Sequence, residues 1–236
     1  MLTRAASRIA ALVIPLALVL AGCSGGSSGS QGGSSQTPEQ VFSAAQQHLT
    51  ATKGVNLTLS TNNLPEGING IQKAVGIATD APAFDGKLTV SLSGQAFDVP
   101  VIAVGGKVFA EIPLTTGWSD VDPRDYGAPD PAGFLSPHDG FAAILGAATG
   151  LKKGDSIRGG ANNDEILTTY TGSVAGDVVA RVIPGASGDF TLSTQITDGD
   201  ELRSMSMTGV FYKNAKPNTY TVGFEDYGTT KDITAP

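Results

Sequence analysis

Residues 87–112 read KLTVSLSGQAFDVPVIAVGGKVFAEI. Leu88, Val90 and Leu92 alternate with Thr89, Ser91 and Ser93, and Phe97, Val99, Val101 and Ala103 keep that period up to Gly105-Gly106. In an extended chain a period of two sends every apolar side chain to one face, so this is strand sequence with one side against a core. The glycine pair reads as a hairpin turn, leading into a further strand over residues 107–112. Strands of this kind, apolar on one face only, pair antiparallel.

The same period extends outward in both directions. Upstream, Val55, Leu57 and Leu59 alternate with Asn56, Thr58 and Ser60. Downstream, residues 165–172, 190–197, 202–212 and 219–226 read as strands, with turns at Asp198-Gly199-Asp200 and at residues 214–218. Three helical stretches break the meander. Thr37-Pro38-Glu39-Gln40 is a helix start, with a hydroxyl cap, proline in the first turn and glutamine placed to close a capping box. Val41, Phe42, Ala45 and Leu49 follow at helical spacing, and Gly54 is the expected stop. Phe141, Ile144, Leu145 and Ala148 share one face of a second helix, and residues 173–183, ending before Pro184-Gly185, read as a third. The fold class is therefore α+β, one large sheet of eight to ten antiparallel strands, strongly bent and backed by helices.

Inward positions carry mostly medium-sized aliphatics, and Phe, Trp and Tyr make up 6% of the chain. A strongly bent sheet of that size encloses more space than small Ala- and Gly-rich helices fill, and an enclosed apolar void suits acyl chains. The same residues also suit a solid core, and composition alone favours the solid core.

At the N-terminus, Arg4 and Arg8 precede an uncharged run over residues 9–20 that ends in Leu20-Ala21-Gly22-Cys23. A basic start, a short apolar stretch and small residues at the cut site form a secretory signal over residues 1–22. The run falls short of the roughly 20 residues that a membrane-spanning helix needs. Leu-Ala-Gly-Cys is also a lipobox, in which the Cys23 thiol receives a diacylglyceryl group and the chain is cut before it. Residues 24–36 contain only Ser, Gly and Gln, a flexible tether with nothing to bury. Residues 37–236 make up the single folded domain.

Without its leader the chain carries 13 basic and 22 acidic residues, a net charge of −9. No basic cluster is present to bind nucleic acid or anionic headgroups. Cys23 is the one cysteine, so the exported body has no disulfide and must be held by its core. Catalytic constellations are equally scarce. His48 and His138 have no thiol or metal-ligand partner at a useful spacing, and there is no nucleophile elbow or phosphate-binding glycine loop. Asp120, Asp122 and Asp125 lack the spacing of a calcium loop and read as a solvated turn. The chain is read as no enzyme, with no metal and no cofactor.

Gly117-Trp118-Ser119, then residues 130–137 (DPAGFLSP), then residues 140–145 (GFAAIL) resemble the central signature of the mycobacterial LppX/LprA/LprF/LprG lipoproteins. The order of parts also agrees, from lipobox and tether through to the final strand run. Tyr227 stands where that family commonly has tryptophan.

The resemblance implies a half-barrel of antiparallel strands enclosing an apolar cavity for the acyl chains of triacylglycerols, phosphatidylinositol mannosides, lipoglycans or related lipids. It also implies a lipid-anchored protein of the inner membrane that faces the periplasm and carries such lipids outward, in some members together with a major-facilitator exporter. With that reading, the cavity face is expected to hold Leu57, Leu59, Val75, Ile77, Leu88, Val90, Leu92, Val99, Val101, Phe141, Ile144, Leu145, Val178 and Val182. A one-residue slip in any strand would turn its whole set outward. The rival reading is a structural or host-interacting surface lipoprotein with a filled core.

Overall fold

The computed structural model describes residues 36–126 and 128–236. The leader, Cys23 and the tether up to residue 35 lie outside the described residues. Gln36–Pro236 form one compact unit. Its strands are β1 (Gly54–Ser60), β2 (Gly70–Thr79), β3 (Ala83–Leu92), β4 (Gln95–Val104), β5 (Lys107–Ala110), β6 (Ser119–Val121), β7 (Thr149–Gly159), β8 (Glu165–Val174), β9 (Ser187–Thr197), β10 (Leu202–Val210) and β11 (Asn218–Glu225). Its α-helices are α1 (Pro38–Ala51), α2 (Phe141–Ala147) and α3 (Gly176–Val182). All pairings are antiparallel in one sheet of order β6-β5-β4-β3-β2-β1-β11-β10-β9-β8-β7.

The class is thus α+β, but two details differ from expectation. The strands number eleven rather than eight to ten, and the sheet is open and not strongly curled, so no half-barrel closes. The additional strands had no period to betray them. β6 is three residues long. β7 is an edge strand exposed along most of its length, with Lys152, Lys153, Asp155 and Arg158 in place of an apolar face. Charged edges of this kind deter pairing with other chains.

The helices form for local reasons. The Thr37 hydroxyl accepts from the Gln40 amide at 3.3 Å while Gln40 Oε1 accepts from the Thr37 amide at 2.9 Å, which completes the capping box of α1. Val41, Phe42, Ala45 and Leu49 are buried as one stripe, and His48 sits exposed beside it. α1 packs on α2, and α2 on α3. The third helix is shorter than its valines suggested. Ser173 and Val174 finish β8, and Val174 is buried as a strand residue.

β2 runs in the opposite phase to the one its larger side chains suggested. Leu57 pairs with Gly76 and Leu59 with Ala74, whereas Thr58 pairs with Val75 and Asn56 with Ile77. Directly opposed residues share a face, so Ala74, Gly76 and Ala78 point inward with Leu57 and Leu59, while Val75 and Ile77 point out. Val75 is 45% exposed. Small residues face inward here because Phe84 lies on top of them: a Cβ at Gly76 would collide with the Phe84 ring and with the Asp85 carbonyl. Gly86, opposite Gly76, is held to glycine by the same ring.

One ion cluster ties three segments together. The Arg203 guanidinium contacts Glu165 through Nη2 at 2.5 Å and Nε at 2.9 Å, reaches Glu201 at 2.8 Å, and lies 5.5 Å from the Tyr227 ring centre. The Tyr227 hydroxyl donates to the Leu202 carbonyl at 2.9 Å. The Arg203 hydrogen bonds hold the Glu165 carboxyl below the ordinary glutamate value of 4.5. A carboxyl depressed by folding stabilises the protein above its unfolded pKa, and that stabilisation is lost as pH falls through the folded value. Glu165→Gln is expected to cost about 1–2 kcal/mol at neutral pH, as loss of a charged hydrogen bond does. The gap to wild type should narrow in urea unfolding as the buffer goes from about pH 6 to about pH 3. A pH-independent gap would show that Glu165 stabilises by packing alone.

Candidate functional site

The residues of β3 show where the sheet stops being solid. Phe84 at its start is fully buried, Leu88 and Val90 are half-buried, and Leu92 at its end is 38% exposed. All four share the inner face, and Leu88, Val90 and Leu92 line a cavity of about 370 Å³. Val99 and Val101 of β4, Leu59 of β1, Ile71 and Ala74 of β2, Val108 and Ala110 of β5, Val121 of β6 and Tyr220 of β11 extend its sheet wall. Val182 and Ile183, at the end of α3, and Phe134 and Phe141 close the side opposite.

The blind end rests on aromatic rings. Phe84 meets Phe134 edge to face at 5.8 Å, Phe134 lies 5.2 Å from Phe141, and Phe141 meets Phe224 edge to face at 5.7 Å. The segment over residues 130–141 is folded to deliver two of these rings. Asp130 Oδ1 caps a single 3-10 turn by accepting from the Ala132 amide at 2.9 Å, and Pro131 is buried. The Ser136 hydroxyl accepts from the His138 and Asp139 amides, at 3.2 and 3.1 Å, and turns the chain toward α2. Gly140 fits against the Gly133 and Phe134 carbonyls, where any Cβ would clash. Phe134 and Phe141 are therefore fixed by backbone hydrogen bonds rather than by packing alone.

The mouth is flanked by Leu92, Tyr126 and the residues around Gly70. Its polar groups are few. The Tyr220 hydroxyl donates to the Ile71 carbonyl at 2.5 Å and lies 2.6 Å from the Tyr212 hydroxyl. Burial pushes both phenols above the ordinary tyrosine value, so both stay protonated throughout the physiological range. Asn69 Oδ1 accepts from the Ser93 amide at 2.8 Å. Asp125 is the one charged residue of the lining among the described residues. The neighbouring acids are engaged elsewhere: Asp120 pairs with Lys107 at 2.6 Å and Asp122 with Arg124 at 3.0 Å. Among the described residues no group of three His, Cys, Asp or Glu is placed to hold a metal ion.

Of the residues expected on the cavity face, the structure gathers Leu59, Leu88, Val90, Leu92, Val99, Val101, Phe141 and Val182 around it. Leu57, Ile144 and Leu145 point inward but lie in solid core away from it, with relative exposures of 0%, 0% and 1%. Val178 is half-buried and packs against that core without reaching the cavity. Val75 and Ile77 are on the outer face, a correction forced by the register of β1 with β2. Sequence reasoning missed Phe134, Ile183, Tyr212 and Tyr220. Phe134 sits in a non-periodic turn, and Tyr220 meets Ile71 across 149 residues of chain, so no local pattern pointed to either.

Two solved structures share this architecture. LprF from Mycobacterium bovis superimposes with a TM-score of 0.67 at 13% identity, covering 84% of this chain and 96% of its own. Mycobacterium tuberculosis lipoprotein LppX gives a TM-score of 0.61 at 14% identity, covering 84% of this chain and 98% of its own. At such identities the likeness establishes the fold. No match was found among curated protein sequences. The sequence profile of the LppX_LprAFG lipoproteins matches residues 37–235, nearly the whole compact unit. The chain therefore belongs to the LppX_LprAFG lipoprotein family, lipid-binding lipoproteins of the cell envelope that are not enzymes.

Proposed function

We propose that this protein is an acyl-lipid carrier, anchored through Cys23 to the outer leaflet side of the inner membrane, which shields lipid chains in its cavity on their way toward the outer envelope. The observation that carries the reading is the cavity: an apolar space of about 370 Å³ lined by aliphatic and aromatic side chains, inside the range of small-ligand sites. Exposed chain surface costs about 25 cal/mol per Å² in water, so spontaneous desorption of a lipid is slow, and a dry lining near the bilayer lowers that cost. The carrier shields and does not react.

Anchor and tether complete the scheme. The 13 residues after Cys23 reach roughly 20 Å on average and roughly 45 Å when extended. No helix among the described residues is long and apolar enough to cross a membrane, so the acyl chains on Cys23 supply the attachment in this proposal. Triacylglycerols, phosphatidylinositol mannosides and lipoglycans are the envelope lipids to test as cargo, and a major-facilitator exporter is the partner to seek.

Mass spectrometry of organic extracts from the purified non-acylated body should detect co-purifying long-chain lipid. The same body should speed exchange of a labelled acyl lipid between vesicles in proportion to its concentration. A folded body that yields a blank extract and no exchange would leave a structural or host-interacting lipoprotein as the reading.

A further inference from the structure

Residues 112–118, in the loop from β5 to β6, read IPLTTGW and carry no charge. The Thr115 amide and hydroxyl both donate to the Ile112 carbonyl, at 3.2 and 2.8 Å, which closes a turn with Pro113 and Leu114 at its corner. Leu114 stands there at φ +71°, where such turns favour glycine or asparagine, and its side chain is fully exposed. Both features cost stability, the first through backbone strain and the second by wetting a large apolar side chain. The loop projects beside the cavity, since Ile112 and Pro113 belong to the lining. Of the six large hydrophobic side chains exposed among the described residues, Leu92, Leu114, Trp118 and Tyr126 belong to this loop or to the mouth, so the exposed apolar surface is gathered at one end rather than scattered.

With Cys23 as the anchor of the proposed function, we infer that this loop docks the mouth on the phospholipid bilayer that holds the tether, with Leu114 and Trp118 in the interfacial layer. The side chains suit that occupant. Tryptophan and tyrosine settle where hydrocarbon meets headgroups, and an uncharged loop enters without stripping water from an ion. The neighbouring acids Asp120 and Asp122 are paired with Lys107 and Arg124. The length of the chain outside the described residues argues the same way. The Gln36 side chain donates to Asp200 at 3.1 Å, in the β9–β10 turn, and the antiparallel order puts that turn at the opposite end of the sheet from the mouth. The ten residues of β3 set those ends about 30 Å apart. A tether with an extended reach of roughly 45 Å spans that distance, whereas its average reach of roughly 20 Å does not, so contact has to be held by the loop. One loop buries less apolar surface than a single acyl chain, which is itself a marginal anchor, so docking becomes measurable only when the tether holds the body at the surface.

Trp118 is the one tryptophan of the chain and reports on the loop directly. The non-acylated chain from Cys23 to Pro236 is coupled through its single thiol to a maleimide lipid in phosphatidylcholine vesicles, which supplies the anchor whatever happens to Cys23 in the cell. Phosphatidylcholine brominated high on its acyl chains should quench Trp118 when placed in the coupled vesicles, and much less when placed in a second, protein-free population. Leu114→Asn removes the apolar tip while suiting the left-handed backbone, and should lower the docked-to-undocked ratio about tenfold without lowering the melting temperature. Ile157→Asn, which removes an exposed apolar side chain from the edge strand β7, should leave the quenching as it is. Raising salt should change the quenching little, because no charge in the loop is screened. Absence of quenching in the coupled vesicles, or equal quenching in Leu114→Asn, overturns the docking inference. Quenching only by the second population overturns the assignment to the anchoring membrane. No cargo is involved, so any of these failures leaves the carrier reading to its own tests of extraction and exchange.

Discussion

Val90→Trp is expected to weaken acyl-lipid binding by roughly sixtyfold while leaving the melting temperature nearly unchanged. Val90 stands near the end of β3, opposite Phe97 on β4 and Ile71 on β2, and its side chain lines the cavity. An indole there takes up the room of about three methylenes, and at about 0.8 kcal/mol each the lost contacts amount to about 2.4 kcal/mol. The backbone has no reason to move, because the added rings enter open space. A filled core predicts the reverse. Extra atoms in a packed interior cost about 1–3 kcal/mol in strain, and for a domain of this size each kcal/mol lowers the melting temperature by about 2–4 °C. Fluorophore displacement and thermal unfolding of the same variant separate the two. Unchanged affinity with a lowered melting point would remove Val90 from the ligand's path and the cavity from the mechanism.

Cys23→Ala carries the other large effect, since it is expected to abolish lipid attachment outright. The thioether to diacylglycerol can form only on a thiol, and the chain has no other cysteine. In the proposed lipobox, cleavage before Cys23 follows its modification, so the variant should persist as the longer precursor and incorporate no labelled palmitate. A single acyl chain holds a protein to a membrane only marginally, at about 0.8 kcal/mol per buried methylene, whereas two or three hold it stably. The body from Gln36 onward, expressed without any leader, should accordingly remain in the soluble fraction. Palmitate labelling that survives in Cys23→Ala would place the lipid elsewhere on the chain.

The two substitutions test the tethered carrier from opposite ends. The first blocks the cargo site and leaves the proposed acyl anchor, and the second removes that acyl anchor and leaves the cargo site. A transport defect shared by both, with binding lost only in the first, is the pattern that a tethered carrier requires. On the proposed reading the tether would give a high effective concentration at the inner membrane, which favours loading, and its extended reach of roughly 45 Å would limit delivery to a nearby acceptor.

Much of this molecule was legible in the chain before any coordinates. The proposed lipobox rests on contiguous residues outside the described structure, and the fold neither enters that reading nor tests it. The strands of residues 88–103 keep a strict alternation because one face is wet and the other is not, and for that reason Leu88, Val90, Leu92, Val99 and Val101 were assigned to the face they occupy. The capping box of α1 is likewise a local fact, settled by hydrogen bonds three residues apart. What alternation cannot supply is the choice between a wall and a core. Leu57 and Leu59 share one strand and one face, yet only Leu59 reaches the cavity, because Leu57 sits nearer the end that the helices fill.

Tertiary structure alone decided the rest. β2 holds both Val75 and Ala74, and size favours the valine as the inward residue; the pairing with β1 and the space taken by the Phe84 ring reverse that choice. β7 has no apolar face and exists as a strand because β8 offers it a hydrogen-bonding edge. The polar corner of the mouth assembles Asn69, Ile71, Tyr212 and Tyr220 from segments far apart in the chain. By itself, then, the sequence determined the α+β antiparallel class and the inner face of its most periodic strands, both of which follow from neighbours a few residues apart. The cavity, its size and its mouth depend on which strands meet and which rings fill the space between them, and those are contacts that no local period encodes.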